Sequence, residues 1–428
     1  MSDGPQNRPA TQALLMVAYH FPPLAGSSGI QRTLRFVQQL PGLGWQPLVL
    51  TVQPHAYERI SADLLADVPD GTVVERAFAL DTARQLSLGG RYWGAMARPD
   101  RWASWRFDGV RRGLQLVRRH APRAIWSTFP IPSAHAIGLA LARKTGLPWI
   151  ADFRDPMAQD GYPADPALWR AFDRLERETI RHASWSVFTT PGAARIYRER
   201  YPAHADRIVV LENGFDEDSF RRAEAGAGPA GPLTPGVATL VHSGIVYPQE
   251  RDPAPLFEAL HQAKAAGLVG PGNLRVRFRS PVHEGLLNGL TARFGLEGIV
   301  EVMPAIPYLD ALREMQRAEG LLLMQGANCN EQIPAKAYEY LRAGRPILCL
   351  ADPAGDTASV VQQAGVDTIA PLEDAQAIAR ELARFVDLMR AGRAPLPSPE
   401  VVASAARTHR SEQLVQLLER LPRRDRRS

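Results

Sequence analysis

The stretch Asn330–Leu348, NEQIPAKAYEYLRAGRPIL, holds a polar loop, a short helix and the start of a buried strand in nineteen residues. Pro334 suits a first helical turn, because its missing N–H is one that the helix leaves unpaired anyway. Gly344 suits a left-handed C-terminal stop, and Pro346 just beyond it forbids the helix to continue. The apolar run after it, Ile347 to Ala351, is a strand of the kind buried on both faces. A short helix leading directly into such a strand is the repeating unit of a parallel α/β sheet.

Working outward from this stretch, the same alternation covers the chain. In the first half the strand candidates are ALLMVAY, PLVLTV, TVVERAF, AIWSTF, PWIADF, WSVFTT and RIVVLEN. Helices are predicted over 29–40, 108–120, 133–144 and 165–183. The second half restarts with VATLVHSG and continues through LRVRFRS, IVEVMPA, GLLLMQG, PILCLA and DTIAPL. Between the halves, ENGFDED leads into RRAEAGAGPAGPLTPG, rich in Gly, Ala and Pro and without periodicity. The expected fold class is therefore α/β, with two Rossmann-like domains facing a central cleft. Residues 1–215 are expected to form an N-terminal domain, 216–403 a C-terminal domain, and 404–428 a closing segment.

The 428 residues exceed what a single ordinary core organises, and a hydrophobic fraction of 45% supplies two. Two cysteines, Cys329 and Cys349, make no disulfide framework and suit a reducing compartment. The first residues, MSDGPQNRPATQ, lack the apolar core of a signal peptide, and no apolar run approaches the roughly 20 residues of a membrane span. A cytoplasmic protein is expected. The net charge of +5 is uneven: nine arginines fall between Arg91 and Arg123, against Asp100 and Asp108, with Trp93, Trp102 and Trp105 among them. This segment suits an anionic surface, and it reads equally as the solvated face of an amphipathic helix. No nucleic-acid-binding motif accompanies the charge, so nucleic acid is not an expected partner.

Open parallel sheets bind ligands beyond the carboxyl ends of their strands, which directs attention to four loops. After the first strand, YHFPPLAGSSGIQR carries Gly26 and Gly29, which let backbone N–H groups approach an anion or sugar at a helix start. Its glycines do not follow the dinucleotide spacing, and the second strand ends in Gln53–Pro54, without the acidic residue that would hold a ribose. In PWIADFRDP, Asp152, Arg154 and Asp155 end a buried strand, where charges are expensive unless paired or used. They form either a capping ion pair or part of a site. The loop LVHSGIVYPQERDP places Ser243 and Gly244 after a strand and Arg251 ahead of a helix, as a phosphate contact or a surface arginine. The opening stretch offers a helix N-terminus with Lys336 nearby, suited to phosphate. Glu339 is suited to vicinal hydroxyls, or to an ordinary salt bridge on an exposed helix. Glu331 and Glu339 together make E-x7-E.

FPPLAGSSG, DFRDP, ENGFD, HSGIVYPQERDP and above all EQIPAKAYEYLRAGRPIL resemble the GT-B glycosyltransferases of the retaining family 4, or group 1, type. The resemblance implies a nucleotide-sugar donor held mainly by the C-terminal domain and an acceptor held mainly by the other. It also implies transfer with retention, without metal or cofactor. Residue by residue, Glu339 binds the donor ribose, Glu331 the transferred sugar, and Ser243 and Gly244 line the donor site. Arg251 and Lys336 neutralise the diphosphate, and Gly26 and Gly29 lie near the reacting centre with Arg154 and Asp155. Many relatives carry histidine where DFRDP has Arg154, so that histidine's role does not transfer. The implied product is a cell-envelope or polysaccharide intermediate, on a lipid-linked acceptor if the cationic segment contacts the inner face of the plasma membrane. A GT-B-like nucleotide-sugar epimerase, and a non-catalytic nucleotide-sugar-binding assembly partner, are the alternatives. Asp216 and Asp218 of the joint could suggest metal ligands, but at an interdomain joint they read first as a helix cap.

Overall fold

The computed structural model of the chain describes residues 11–26, 29–226 and 231–422. Ser27 and Ser28 of the glycine loop, the first ten residues, part of the Gly/Ala/Pro joint and the last six residues lie outside them. Contacts divide the chain into two compact units, residues 1–212 with 410–428, and residues 213–409.

The first unit is built on seven strands: β1 (Gln12–Val17), β2 (Trp45–Val52), β3 (Val73–Ala77), β4 (Ala124–Thr128), β5 (Trp149–Arg154), β6 (Trp185–Phe188) and β7 (Ile208–Val210). They pair in parallel in the order β3-β2-β1-β4-β5-β6-β7. Leu14 to Val17 are fully buried, as strands covered by helices on both faces must be. The order reverses beside β1, which places a switch point between the loops after β1 and β4. Leu414 and Leu418 of helix Arg407–Glu419 join this core.

The second unit repeats the plan with six strands, β8 (Ala238–Ser243), β9 (Leu274–Arg279), β10 (Val300–Met303), β11 (Gly320–Met324), β12 (Ile347–Leu350) and β13 (Ile369–Ala370), in the order β10-β9-β8-β11-β12-β13. Its two faces separate residue by residue. Leu322, Met324, Leu348 and Leu350 pack with Phe257, Leu260 and Phe385 on one side. Leu321, Leu323, Ile347 and Cys349 pack with Leu312, Tyr338 and Leu341 on the other. Alternate side chains point to opposite faces of a strand, so continuous apolar runs serve two cores at once. The expected pair of parallel α/β halves is the observed fold.

One expectation is corrected. The three tryptophans of the cationic segment do not form one aromatic surface. Trp105 is fully buried at the start of helix Trp105–His120. Trp102 packs on Tyr19, with ring centroids 4.4 Å apart, and donates to the Ala56 carbonyl at 3.0 Å. Trp93 alone of the three is exposed, at 79%. The reason is that an indole beside β1 and β2 gains far more from the core than from water. In the joint, Asp216 is the N-cap of helix Glu217–Ala225, accepting from the Ser219 N–H at 3.0 Å, while Asp218 is exposed beside Arg221. Among the described residues no helix is long and apolar enough to cross a membrane.

Candidate functional site

In the second unit the site grows from the helix Ala335–Ala343, whose N-cap is Pro334 and whose C-cap is Gly344 at φ 65°. Its two tyrosines are fully buried. Tyr340 reaches β8, where its hydroxyl accepts from the Ser243 N–H at 2.8 Å. The helix start is thereby fixed against the end of β8, and Lys336 faces the turn beyond that strand. Gly244 sits there at φ 102°, and a methyl group on it would lie 3.4 Å from Lys336 Nζ. Glycine meets both the backbone conformation and the close approach.

Lys336 Nζ lies 2.9 Å from His242 Nε2, and His242 Nδ1 lies 2.9 Å from the Leu322 carbonyl oxygen. A carbonyl only accepts, so Nδ1 carries the proton and Nε2 accepts from the ammonium. Burial and then the Lys336 charge hold the His242 pKa well below the usual range, keeping the ring neutral. Burial, and then the charge of Arg251, hold the Lys336 ammonium well below its usual range. Arg251 is itself buried, with its pKa lowered by that burial. Its guanidinium is 5.3 Å from the Tyr247 ring centroid, and Nε donates to Gln325 Oε1 at 3.1 Å. Glu250, at 3.7 Å, is its one carboxylate neighbour among the described residues and is exposed. Two desolvated cations thus stand together, with Glu250 beside Arg251, and with Glu339, one turn along the helix, acting on Lys336.

Glu339, one turn along, accepts from the Tyr308 hydroxyl at 2.8 Å, and burial raises its pKa. Glu331 is half-buried in the turn before Pro334. Ser243, Gly244, Lys336 and Arg251 are therefore brought together, with Glu339 further along the same helix. The joint supports this unit: Phe215 N–H donates to the Ala405 carbonyl at 3.2 Å, and a side chain at Gly214 would collide with that oxygen.

In the first unit the loop after β1 and the end of β5 converge. Gly26 takes φ 78° in open space, whereas Gly29 is hemmed in. A methyl group at Gly29 would collide with His20 Nδ1 and lie 2.9 Å from Arg154 Nη1. Arg154 follows a register shift in β5 and holds φ 63°, a left-handed conformation unusual for a side-chain-bearing residue. Its Nε is buried without a hydrogen-bond partner, and burial lowers its pKa. Strain and an unsatisfied donor at a strand end are features that functional sites retain. Asp155 is exposed at the edge of this cluster.

Asp152 belongs to the core. It receives two hydrogen bonds from Arg32, at 2.9 and 2.8 Å, and one from Thr128 at 3.0 Å. Arg32 also donates to the carbonyls of Leu211 and Glu212. A buried carboxylate needs a partner within reach, and the partner comes from the helix after the glycine loop, not from the neighbouring Arg154.

Three residues of these sites are not evident from the sequence: His20, His242 and Tyr308. His20 stands just beyond the end of β1 and His242 near the end of β8, the first strand of each unit, a position that carried the signal. His20 is held near pKa 3, first by burial and then by Arg154, so its imidazole is neutral.

Residues 28–214 match the family of glycosyl transferase 4-like domains. No curated protein matches the sequence. In structure the chain is similar to a sucrose-phosphate synthase from Thermosynechococcus elongatus, with 14% identity, a TM-score of 0.63, and 95% of this chain and 98% of that one covered. It is similar to HepE of Anabaena in complex with UDP-glucose, with 14% identity, a TM-score of 0.65, and 96% and 100% covered. It is also similar to a UDP-GlcNAc 2-epimerase from Neisseria meningitidis bound to UDP-GlcNAc, with 12% identity, a TM-score of 0.57, and 96% and 100% covered. Residues 28–214 thus carry a glycosyl transferase 4-like domain, and the chain as a whole has the two-sheet α/β fold of these structures.

Proposed function

We propose that the enzyme transfers a sugar from a nucleotide-sugar donor, with retention and without a metal ion, to a cell-envelope or polysaccharide acceptor. The observation that carries this reading is the pair of desolvated cations, Lys336 and Arg251, beside Gly244 at a helix start. Burial and Arg251 make the Lys336 charge costly to hold, and a diphosphate placed between the two removes that penalty. Negative charge grows on the diphosphate as the sugar departs, so fixed cations there stabilise the transition state more than the bound donor. Glu339 and Glu331 then take the ribose and the transferred sugar.

On the acceptor side, a base with pKa near 3 takes a proton poorly at neutral pH. His20 is better suited to accept a hydrogen bond from a sugar hydroxyl. The departing diphosphate remains as the group that takes the acceptor's proton, on the face from which it leaves, which yields retention. The exposed side chains of the segment that ends in helix Trp105–His120 support a lipid-linked acceptor at an anionic membrane. Leu88 (89%), Trp93 (79%) and Phe107 (81%) stand exposed beside Arg91, Arg98, Arg106 and Arg111.

A thermal-shift screen of UDP-, GDP- and ADP-sugars tests the donor, and NMR of the product's anomeric centre tests retention. Stabilisation by no nucleotide sugar would remove the donor assignment. Release of UDP without any acceptor, coupled to epimerisation, would favour an epimerase.

A further inference from the structure

The first unit carries a groove outside the donor and acceptor sites described above, although Arg98 and Arg106 at its rim also belong to the cationic segment. It has a volume of about 480 Å³ and is walled by helices Trp105–His120, Pro132–Thr145 and Pro166–His182. Four arginines line it, Arg98, Arg106, Arg170 and Arg174, over a floor of Leu139, Leu175 and three alanines. Among the described residues none of the four guanidinium groups has a hydrogen bond or ion pair. Elsewhere in the unit Arg101, Arg112, Arg143, Arg177 and Arg200 each hold a carboxylate. The single acidic residue of the lining, Glu178, is engaged by Arg143.

Four unpaired guanidinium groups around one depression repel one another until an anion sits among them. Their fork geometry fits phosphate oxygens two at a time. A small inorganic anion has no use for an apolar floor, and a neutral apolar ligand has none for four arginines. The groove also opens onto apolar surface. Arg98 Nη2 lies 3.6 Å from the place a methyl group on Gly94 would take, and the flanking Trp93 and Met96 are 79% and 42% exposed. Indole rings in that position suit the boundary between water and lipid.

We propose that this groove binds the phosphate groups and the first part of the hydrocarbon chain of a lipid diphosphate, the anchor of the acceptor. The proposal rests on the transferase reading only for calling that lipid an acceptor, since the binding chemistry belongs to the groove alone. Membrane contact by exposed side chains is a surface property, whereas this is a site for one molecule.

The test uses the full chain, with farnesyl diphosphate, farnesol and inorganic diphosphate as probes, titrated by calorimetry below the micelle concentration. Farnesyl diphosphate is expected to bind clearly more tightly than either fragment. The double variant R170E/R174E, within one helix, should weaken it about a hundredfold, roughly tenfold for each charge-assisted hydrogen bond removed. R106E, on a different helix, should weaken it about tenfold. UDP-sugar binding, measured in parallel, reports folding and the second unit, and should be unchanged. Farnesyl diphosphate binding that ignores these charge reversals overturns the proposal, as does inorganic diphosphate or farnesol binding as tightly as the whole molecule. If donor binding survives and the lipid is indifferent to the variants, the groove assignment fails alone. If the lipid depends on these arginines and no nucleotide sugar binds, the transferase reading fails and the lipid site stands.

Discussion

At the scale of single residues, the proposed donor chemistry rests on Glu339, Lys336 and Arg251. Truncating Glu339 to alanine removes a charge-assisted hydrogen bond of about 1.5–3 kcal/mol, so donor affinity should fall about ten- to a hundredfold. The half-buried helix should keep its fold, and calorimetry with the donor decides: unchanged affinity would remove the ribose role. For Lys336 the sign of the pH effect comes from the direction of its shift. Burial and Arg251 depress its pKa in the free protein, and a bound diphosphate raises it toward the ordinary value of about 10.4. The complex therefore holds more protons than the free enzyme between those two values. Donor affinity should fall as pH rises through that window, with proton uptake on binding. Calorimetry in buffers of different ionisation heat measures the uptake, and Lys336→Met should abolish it. Uptake that persists in the variant would point to another group. Arg251→Ala and Lys336→Ala should each lower kcat more than they raise the donor dissociation constant.

At the scale of elements, glycines and caps decide where functional groups stand. Gly29 begins its helix so close to His20 and Arg154 that a methyl group collides with the imidazole. Gly29→Ala should displace His20 and lower transfer at least tenfold, an effect of misplaced geometry. Donor affinity, measured by the second unit, should stay within about twofold, less than 0.5 kcal/mol. If donor affinity falls as much as turnover, Gly29 serves the donor and not the acceptor. Asp216 gives the opposite contrast. As N-cap of Glu217–Ala225 it should cost about 1 kcal/mol of stability when changed to alanine. Turnover of the folded fraction should not change, with or without added Mn²⁺. A turnover collapse rescued by metal would instead make Asp216 a ligand. Helix Ala335–Ala343 shows why so short an element is punctuated so firmly: Gly344 and Pro346 end it, and Tyr340 ties it to β8, which fixes Lys336.

At the scale of the whole molecule, EDTA should leave turnover essentially intact if, as proposed, Lys336 and Arg251 supply the positive charge opposite the diphosphate. Strict dependence on Mg²⁺ or Mn²⁺ would overturn this reading. Much of the architecture was legible in the sequence for a simple reason. A parallel sheet buries both faces of every strand, so LLMV, LVLTV and GLLLM are continuous apolar runs that hardly admit another reading. Helix punctuation was legible because Pro and Gly act locally, through φ and a missing N–H. The loops after the strands, and the basic and acidic residues on the helix of the opening stretch, were legible for the same local reason. Spacing along the chain could not give which charges meet. Arg32 and Asp152 lie 120 residues apart, and only the packing of the glycine-loop helix on β5 makes them partners. The same holds for Lys336 and His242, 94 apart, for His20 and Arg154 around Gly29, and for Trp102 and Trp105, which the core claimed. The arginines of the groove come from three separate segments. Local propensity and periodicity determined the strands, helices and stops. The tertiary structure alone decided which buried charges meet and which stay apart, because electrostatic energy depends on distance through space.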